Sequence, residues 1–214
     1  MDKMHVISRL IKDGLIVIVR TETELQARRS VETLIKSGIK NLEITTSVPN
    51  ALKLIAELNY EYEANNVLIG AGTVLNETTA TVAIISGAKF LVSPFFDSKI
   101  AKVANFYQIP YLPGVFTPKE IRNALEYGCS ILKLFPASDL STNFIQEIKG
   151  PMPQATLMPT GGVSLENLDD WFIAGAEIVA VGGDLTHWAM NEEWDKMYQT
   201  AQNYLKVIYQ IKSK

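Results

Sequence analysis

One cysteine and two histidines in 214 residues leave little material for thiol or metal chemistry. The lone Cys129 excludes an internal disulfide, and its place at the start of an apolar run makes it a buried, inert thiol. His5 and His187 have no Cys, Asp or Glu at ligand spacing, so no metal centre and no cofactor are expected. No nucleotide-binding P-loop occurs. Acidic and basic side chains nearly cancel, 23 against 20. No basic stretch is interleaved with aromatics, which excludes nucleic acid as an expected partner. No apolar run approaches the roughly 20 residues that cross a bilayer, so no membrane association is expected. The first thirteen residues alternate charged with apolar side chains and lack the apolar core of a secretion signal. The expected setting is the cytoplasm.

What is present is a repeat. Gly38, Gly87, Gly128 and Gly175 each precede an apolar run, with spacings of 49, 41 and 47 residues. Each reads as a helix stopped by glycine and followed by a buried strand. The spacing is about twice a strand-helix unit, and similar runs lie between. Eight strands are expected at Leu15–Val19, Asn41–Thr45, Val67–Thr73, Phe90–Ser93, Pro110–Gly114, Ile131–Phe135, Thr156–Thr160 and Ile178–Gly182. Helical segments separate them, the last from about Glu192 to Ile211, and Lys3–Ile11 is an extra N-terminal helix. With 47% hydrophobic residues, the chain 1–214 is expected to be one α/β domain, a (β/α)8 TIM barrel. An open doubly wound sheet would concentrate its special residues at one crevice. Here glycine, proline, threonine or a charge ends nearly every strand, which favours the closed barrel.

The repeat places Glu43, Val92, Lys133 and Ala180 at one phase, so the four are expected in a single interior layer. Lys133 stands among Ile131, Leu132, Leu134 and Phe135. A lysine desolvated in this way offers its free amine to a carbonyl, whereas a structural lysine would pair with a carboxylate or reach out to water. Glu43, within Leu42–Thr45, is the matching general acid and base, with an ion pair to Lys133 as the structural alternative. One level higher, Thr45, Pro94, Phe135 and Gly182 would floor a pocket. Thr73 closes Gly70–Ala71–Gly72–Thr73, where small residues let backbone approach a ligand. Thr160–Gly161–Gly162 and Gly182–Gly183 occupy the strand ends where such barrels hold phosphate on backbone N–H groups.

At these residues the chain resembles the 2-keto-3-deoxy-6-phosphogluconate (KDPG) and 4-hydroxy-2-oxoglutarate (KHG) aldolases, from about Leu15 to Gly183. The likeness lies in Leu42–Thr45, Gly70–Leu75, Ser93–Pro94, Pro113–Val115, Leu132–Ala137 and Pro159–Gly162. It implies a class I aldolase with Lys133 as the Schiff-base lysine and Glu43 as acid/base. Thr73, Pro94 and Phe135 would surround the pyruvyl group of a small 2-keto acid substrate, and Thr160, Gly161 and Gly162 its phosphate. It also implies a homotrimer without metal. Two positions depart from the family. Ser47 stands where many members carry a carboxylate-binding arginine, leaving Arg20 as the cation. Gly183 stands where they carry a phosphate-binding serine, followed by the acidic Asp184. Fold alone leaves two alternatives, a phosphosugar epimerase or isomerase and a non-catalytic small-acid sensor.

Overall fold

The computed structural model describes residues 2–213. Met1 and Lys214, the ends of the expected domain, lie outside them. In chain order the strands are β1 (Leu15–Val19), β2 (Asn41–Thr45), β3 (Leu68–Gly72), β4 (Leu91–Val92), β5 (Tyr111–Leu112), β6 (Gly114–Val115), β7 (Ile131–Leu134), β8 (Thr156–Pro159) and β9 (Val179–Val181). The helices are α1 (Lys3–Asp13), α2 (Glu24–Ser37), α3 (Ala51–Glu61), α4 (Glu77–Ile85), α5 (Ser98–Phe106), α6 (Pro118–Glu126), α7 (Asn143–Lys149), α8 (Leu168–Ile173), α9 (Gly183–Met190) and α10 (Trp194–Lys212).

The repeated glycines do what their spacing suggests. Gly38, Gly87, Gly128 and Gly175 have φ between +74° and +108°, a region in which a Cβ would be strained. At Gly38 the backbone N–H bonds to the Ile35 carbonyl, ends α2 and turns the chain into β2. Thr117 caps α6 as its sequence suggests: its hydroxyl accepts from the Glu120 N–H, and the Glu120 carboxylate accepts from the Thr117 N–H.

All strand pairings are parallel, in the orders β5-β4-β3-β2-β1-β9 and β6-β7-β8. The fold is α/β, with its parallel sheet curled so that one face turns inward. An isolated bridge between Thr160 and Ala180 joins the end of β8 to β9. The expected fifth strand is divided at Pro113, which has no N–H to donate: β5 pairs with β4, and β6 pairs with β7.

Several element ends differ from the sequence reading by one to three residues, and two differences have a visible origin. Helix α8 starts at Leu168 rather than Leu165, because the Ser164 N–H bonds to Asn167 Oδ1 and the Glu166 N–H to Ser164 Oγ, which holds a turn there instead. Helix α9 had no counterpart in the expectation, since Gly182–Gly183 reads as a loop.

The core has two parts. Between sheet and helices lie Leu34, Leu42, Ile44, Leu54, Leu132, Leu157 and Tyr204. Inside the curl, Ile16, Leu68, Phe90, Ile131 and Met158 meet Val6, Ile7 and Leu10 of α1. Those three α1 side chains each contribute roughly 1.5–3 kcal/mol by burial, which holds α1 across the N-terminal ends of the strands. Cys129 is buried, and burial pushes its thiol up to about 12, in keeping with an inert side chain.

Candidate active site

The inward face at the C-terminal strand ends carries two ionisable side chains. Glu43, in β2, is 1% exposed and Lys133, in β7, 6% exposed. Glu43 is level with Ile18 and Gly70, and Lys133 with Gly114 and Met158. Among the described residues neither enters an ion pair, and Glu43 Oε2 is buried without a hydrogen-bond partner. A buried polar atom left unpaired costs about 1–3 kcal/mol. Burial raises the Glu43 carboxyl above its usual range, outweighing the downward pull of Lys133 and then Arg20. The Lys133 Nζ lies 4.9 Å from the centre of the Phe135 ring.

The Glu43 carboxyl rests on Gly72. A Cβ there would come within 1.9 Å of Oε1, so the glycine read from sequence as a ligand-approach residue instead makes room for the acid. Gly72→Ala should displace the carboxyl and lower kcat at least about tenfold, with little change in KM, checked by steady-state kinetics; each 1.36 kcal/mol of lost transition-state stabilisation is tenfold. Unchanged kcat would mean the carboxyl's position over Gly72 is unimportant.

Arg20 and Thr73, read separately from the sequence, come together: Arg20 Nη2 donates to Thr73 Oγ1 at 3.1 Å. Thr73 has φ +57°, a conformation that costs a β-branched residue of order 1–3 kcal/mol. Thr46 Oγ1 donates to the Thr73 carbonyl at 2.8 Å. Ser47 Oγ lies 2.9 Å from Thr45 Oγ1.

Pro94 follows β4 in a loop fastened from below. Tyr111 Oη lies 2.6 Å from Ser93 Oγ, donates to the Phe95 carbonyl and accepts from the Asp97 N–H. Burial pushes the Tyr111 phenol up to about 12, so it stays a neutral donor. The loop lies on Gly114, where a Cβ would sit 2.1 Å from the Pro94 carbonyl oxygen. Phe135 is half-buried, and its ring would be 3.5 Å from a Cβ at Gly161.

The expected phosphate cradle is only partly available. Thr160 is 2% exposed; its N–H bonds to the Leu134 carbonyl and its hydroxyl to the Met158 carbonyl, so its donors are taken. Gly161 and Gly162, at φ +85° and +78°, have N–H groups without a backbone partner among the described residues. Across from them, α9 begins after Gly182 and leaves the first-turn N–H groups of Gly183 and Asp184 free, as every helix N-terminus does. The Asp184 carboxylate, expected to oppose a phosphate, accepts from the Tyr204 hydroxyl at 2.9 Å. Tyr204, on α10, belongs to the core outside the strands. The charge is therefore held outward.

Sequence reasoning missed Thr46, Tyr111 and Tyr204 as residues that shape the site. Thr46 read only as one of the threonines that end β2, Tyr111 had no signal beyond ordinary strand composition, and Tyr204 reads as one more apolar position of an amphipathic helix.

A cavity of about 390 Å³ lies at the opposite end, between α10 and the ends of α1 and α2. Its Lys12 and Lys212 stand in the last turns of α1 and α10, where cations balance helix C-termini, so it holds no comparable chemistry. No His/Cys/Asp/Glu group able to hold a metal occurs among the described residues, and no helix among them is long and apolar enough to cross a membrane.

A buried lysine and a buried carboxyl on the inward face of parallel strands define the class of site, and sequence comparison gives the family. The family profile described as KDPG and KHG aldolase matches residues 6–200. The chain belongs to that family. The 2-dehydro-3-deoxy-phosphogluconate aldolase of Treponema pallidum is 35% identical over 79% of this chain and 80% of its own. Among solved structures, the native KDPGal structure is 30% identical with a TM-score of 0.85, covering 93% of this chain and 95% of its own. The KDPG aldolase of Legionella pneumophila, with pyruvate captured as a covalent carbinolamine, is 26% identical with a TM-score of 0.82, covering 90% and 95%.

Proposed function

We propose that this chain is a class I aldolase, a lyase that cleaves KDPG, KHG or both to pyruvate plus glyceraldehyde 3-phosphate or glyoxylate. The observation that carries it is Lys133, buried on the inward face with the unpaired Glu43 carboxyl close enough to feel its charge. The Lys133 amine attacks the substrate C2 ketone, giving a carbinolamine. Glu43 donates a proton as water leaves, and an iminium forms. As a carboxylate, Glu43 then takes the proton of the C4 hydroxyl. The C3–C4 bond breaks, its electron pair moves into the iminium, and an aldehyde departs. The remaining enamine is protonated at C3, and water returns to release pyruvate and the free amine. The iminium is the electron sink, so no step calls on a metal. A carboxyl raised by burial suits a group that both donates and accepts protons near neutrality.

Arg20 and Thr73 hold the substrate carboxylate, Pro94 and Phe135 flank the pyruvyl carbons, and the N–H groups of Gly161, Gly162 and Gly183 face the phosphate. Gly182 lets α9 begin close to β1, since a Cβ there would be 3.1 Å from that of Ile18. Thr160 contributes by placing Gly161.

The register supports a closed (β/α)8 barrel. From Glu43 the ladder runs level through Gly70 to Phe90, and the next inward residue is Val92. The same two-residue step leads from Val92 by Leu112 and Ile131 to Lys133, from there by Met158 and Ile178 to Ala180, and by Ile16 and Asn41 back to Glu43. Four steps of two residues give a shear of about eight, the value for this barrel. The outer core draws on elements from Leu15 to Ile208, which supports one domain. Association of subunits, in our reading as a homotrimer, is supported by the outer faces of α4 and α5, linked by Lys99–Glu77, where Val82, Ile85 and Phe106 are 45%, 71% and 81% exposed. A cytoplasmic setting completes the reading.

Pyruvate release from KDPG and KHG, followed with EDTA present, tests the activity. Cleavage of at least one is expected. Epimerised or unchanged substrate without pyruvate would refute it.

Gly183 bears on substrate choice. Nothing lies within 4 Å of a Cβ there, so serine fits and restores a hydroxyl at the phosphate. A hydrogen bond to a charged group is worth about 1.5–3 kcal/mol. Gly183→Ser should therefore raise kcat/KM for KDPG by roughly tenfold or more and leave KHG unchanged. Equal effects on both substrates would remove Gly183 from the phosphate site.

A further inference from the structure

We propose that Thr46 is a positioning residue for the substrate carboxylate: its hydroxyl holds Thr73 in the left-handed conformation that turns the Thr73 hydroxyl to Arg20. This rests on the retro-aldol reading above.

Thr73 is unusual because threonine rarely takes φ +57°, and strained residues persist where their surroundings hold them. Here the holding is visible on each side. The Thr46 N–H donates to the Gly72 carbonyl at 2.8 Å, and its hydroxyl donates to the Thr73 carbonyl at 2.8 Å. The Val74 N–H donates to the Val92 carbonyl at 3.0 Å. The peptides flanking Thr73 are thus tied to the turn that follows β2 on one side and to β4 on the other. Thr73 Oγ1 is left to accept from Arg20 Nη2 at 3.1 Å.

The arrangement follows from what stands next in the chain. Ser47 lacks the charge of an arginine, and its hydroxyl is engaged with Thr45 Oγ1. The cation must come from Arg20 at the end of β1, an exposed side chain. Thr73 is the contact that fixes it, and Thr46 fixes Thr73. Thr46 touches no reacting atom. Its effect should appear in how firmly the common carboxylate is held, not in proton transfer.

The test measures borohydride trapping of pyruvate over a range of pyruvate concentrations in the wild type, Thr46→Val and Thr46→Ser. Valine removes the hydroxyl at nearly constant volume, and Thr46 is only half-buried, so the fold should tolerate it. The half-saturating pyruvate concentration should rise about tenfold in Thr46→Val, as expected for one lost hydrogen bond, and stay within about twofold of wild type in Thr46→Ser. The ratio of kcat/KM between KDPG and KHG should not move, because both carry the same carboxylate. Thr46→Ala, which cannot crowd the turn, must show the same rise. Unchanged half-saturation in Thr46→Val, even with a lower melting temperature, would make Thr46 structural and overturn the proposal. A change in the substrate ratio would overturn it too. No adduct in the wild type would overturn the retro-aldol reading itself.

Discussion

Lys133→Met is expected to lower kcat/KM for either 2-keto acid by at least about 10⁴-fold, the scale on which removing a covalent nucleophile acts. Methionine has nearly the length of lysine and suits a site only 6% exposed, so the protein should stay folded and melt no earlier than wild type. Coupled assay of pyruvate and thermal unfolding check the two halves. The pairing of outcomes matters: loss of activity with loss of fold would say nothing of chemistry, whereas loss of activity in a stable protein isolates the amine. Activity within tenfold of wild type would require another nucleophile.

Glu43→Gln should lower kcat by roughly 10²–10⁴-fold, the usual contribution of general acid/base catalysis, while half-saturation by pyruvate changes little. The same substitution makes a prediction on stability whose sign follows from burial. The folded protein holds the Glu43 proton to higher pH than the unfolded chain does. Above the ordinary glutamate range the folded state therefore binds more protons than the unfolded, and stability falls as pH rises toward the raised value. Glutamine carries no such titration. Relative to wild type, the variant should gain melting temperature as pH increases from about 4 to neutrality. A constant difference across that range would mean that Glu43 is not destabilised by its burial. Turnover near the wild-type value would make it structural.

The parts of the molecule legible in sequence share one property: each breaks a local rule. A charge inside Ile131–Phe135 or Leu42–Thr45 is visible because strands buried on both faces are otherwise apolar, and the four glycines are visible because helices must stop at them. The elements of the repeat followed from that. What stayed hidden depends on partners distant in the chain. Nothing near Asp184 announces that the hydroxyl of Tyr204, twenty residues on, will donate to its carboxylate. Tyr111 is an ordinary strand residue until Ser93 and Asp97 meet its hydroxyl. Thr160 looks like a ligand residue because its neighbours are glycines, yet its donors are spent on Leu134 and Met158. Gly72 looked like a place for substrate and is a place for Glu43. In each case, the sequence supplied the residue and the packing of a second strand or helix decided its use.

The imine at Lys133 can be tested in a single tube. The protein is incubated with pyruvate, reduced with borohydride and digested, and the peptides are weighed. The predicted result is a reduced pyruvyl adduct on the peptide containing Lys133, absent without pyruvate and absent in Lys133→Met. No adduct, or an adduct on Lys89 or Lys149 with Lys133 unmodified, would contradict it.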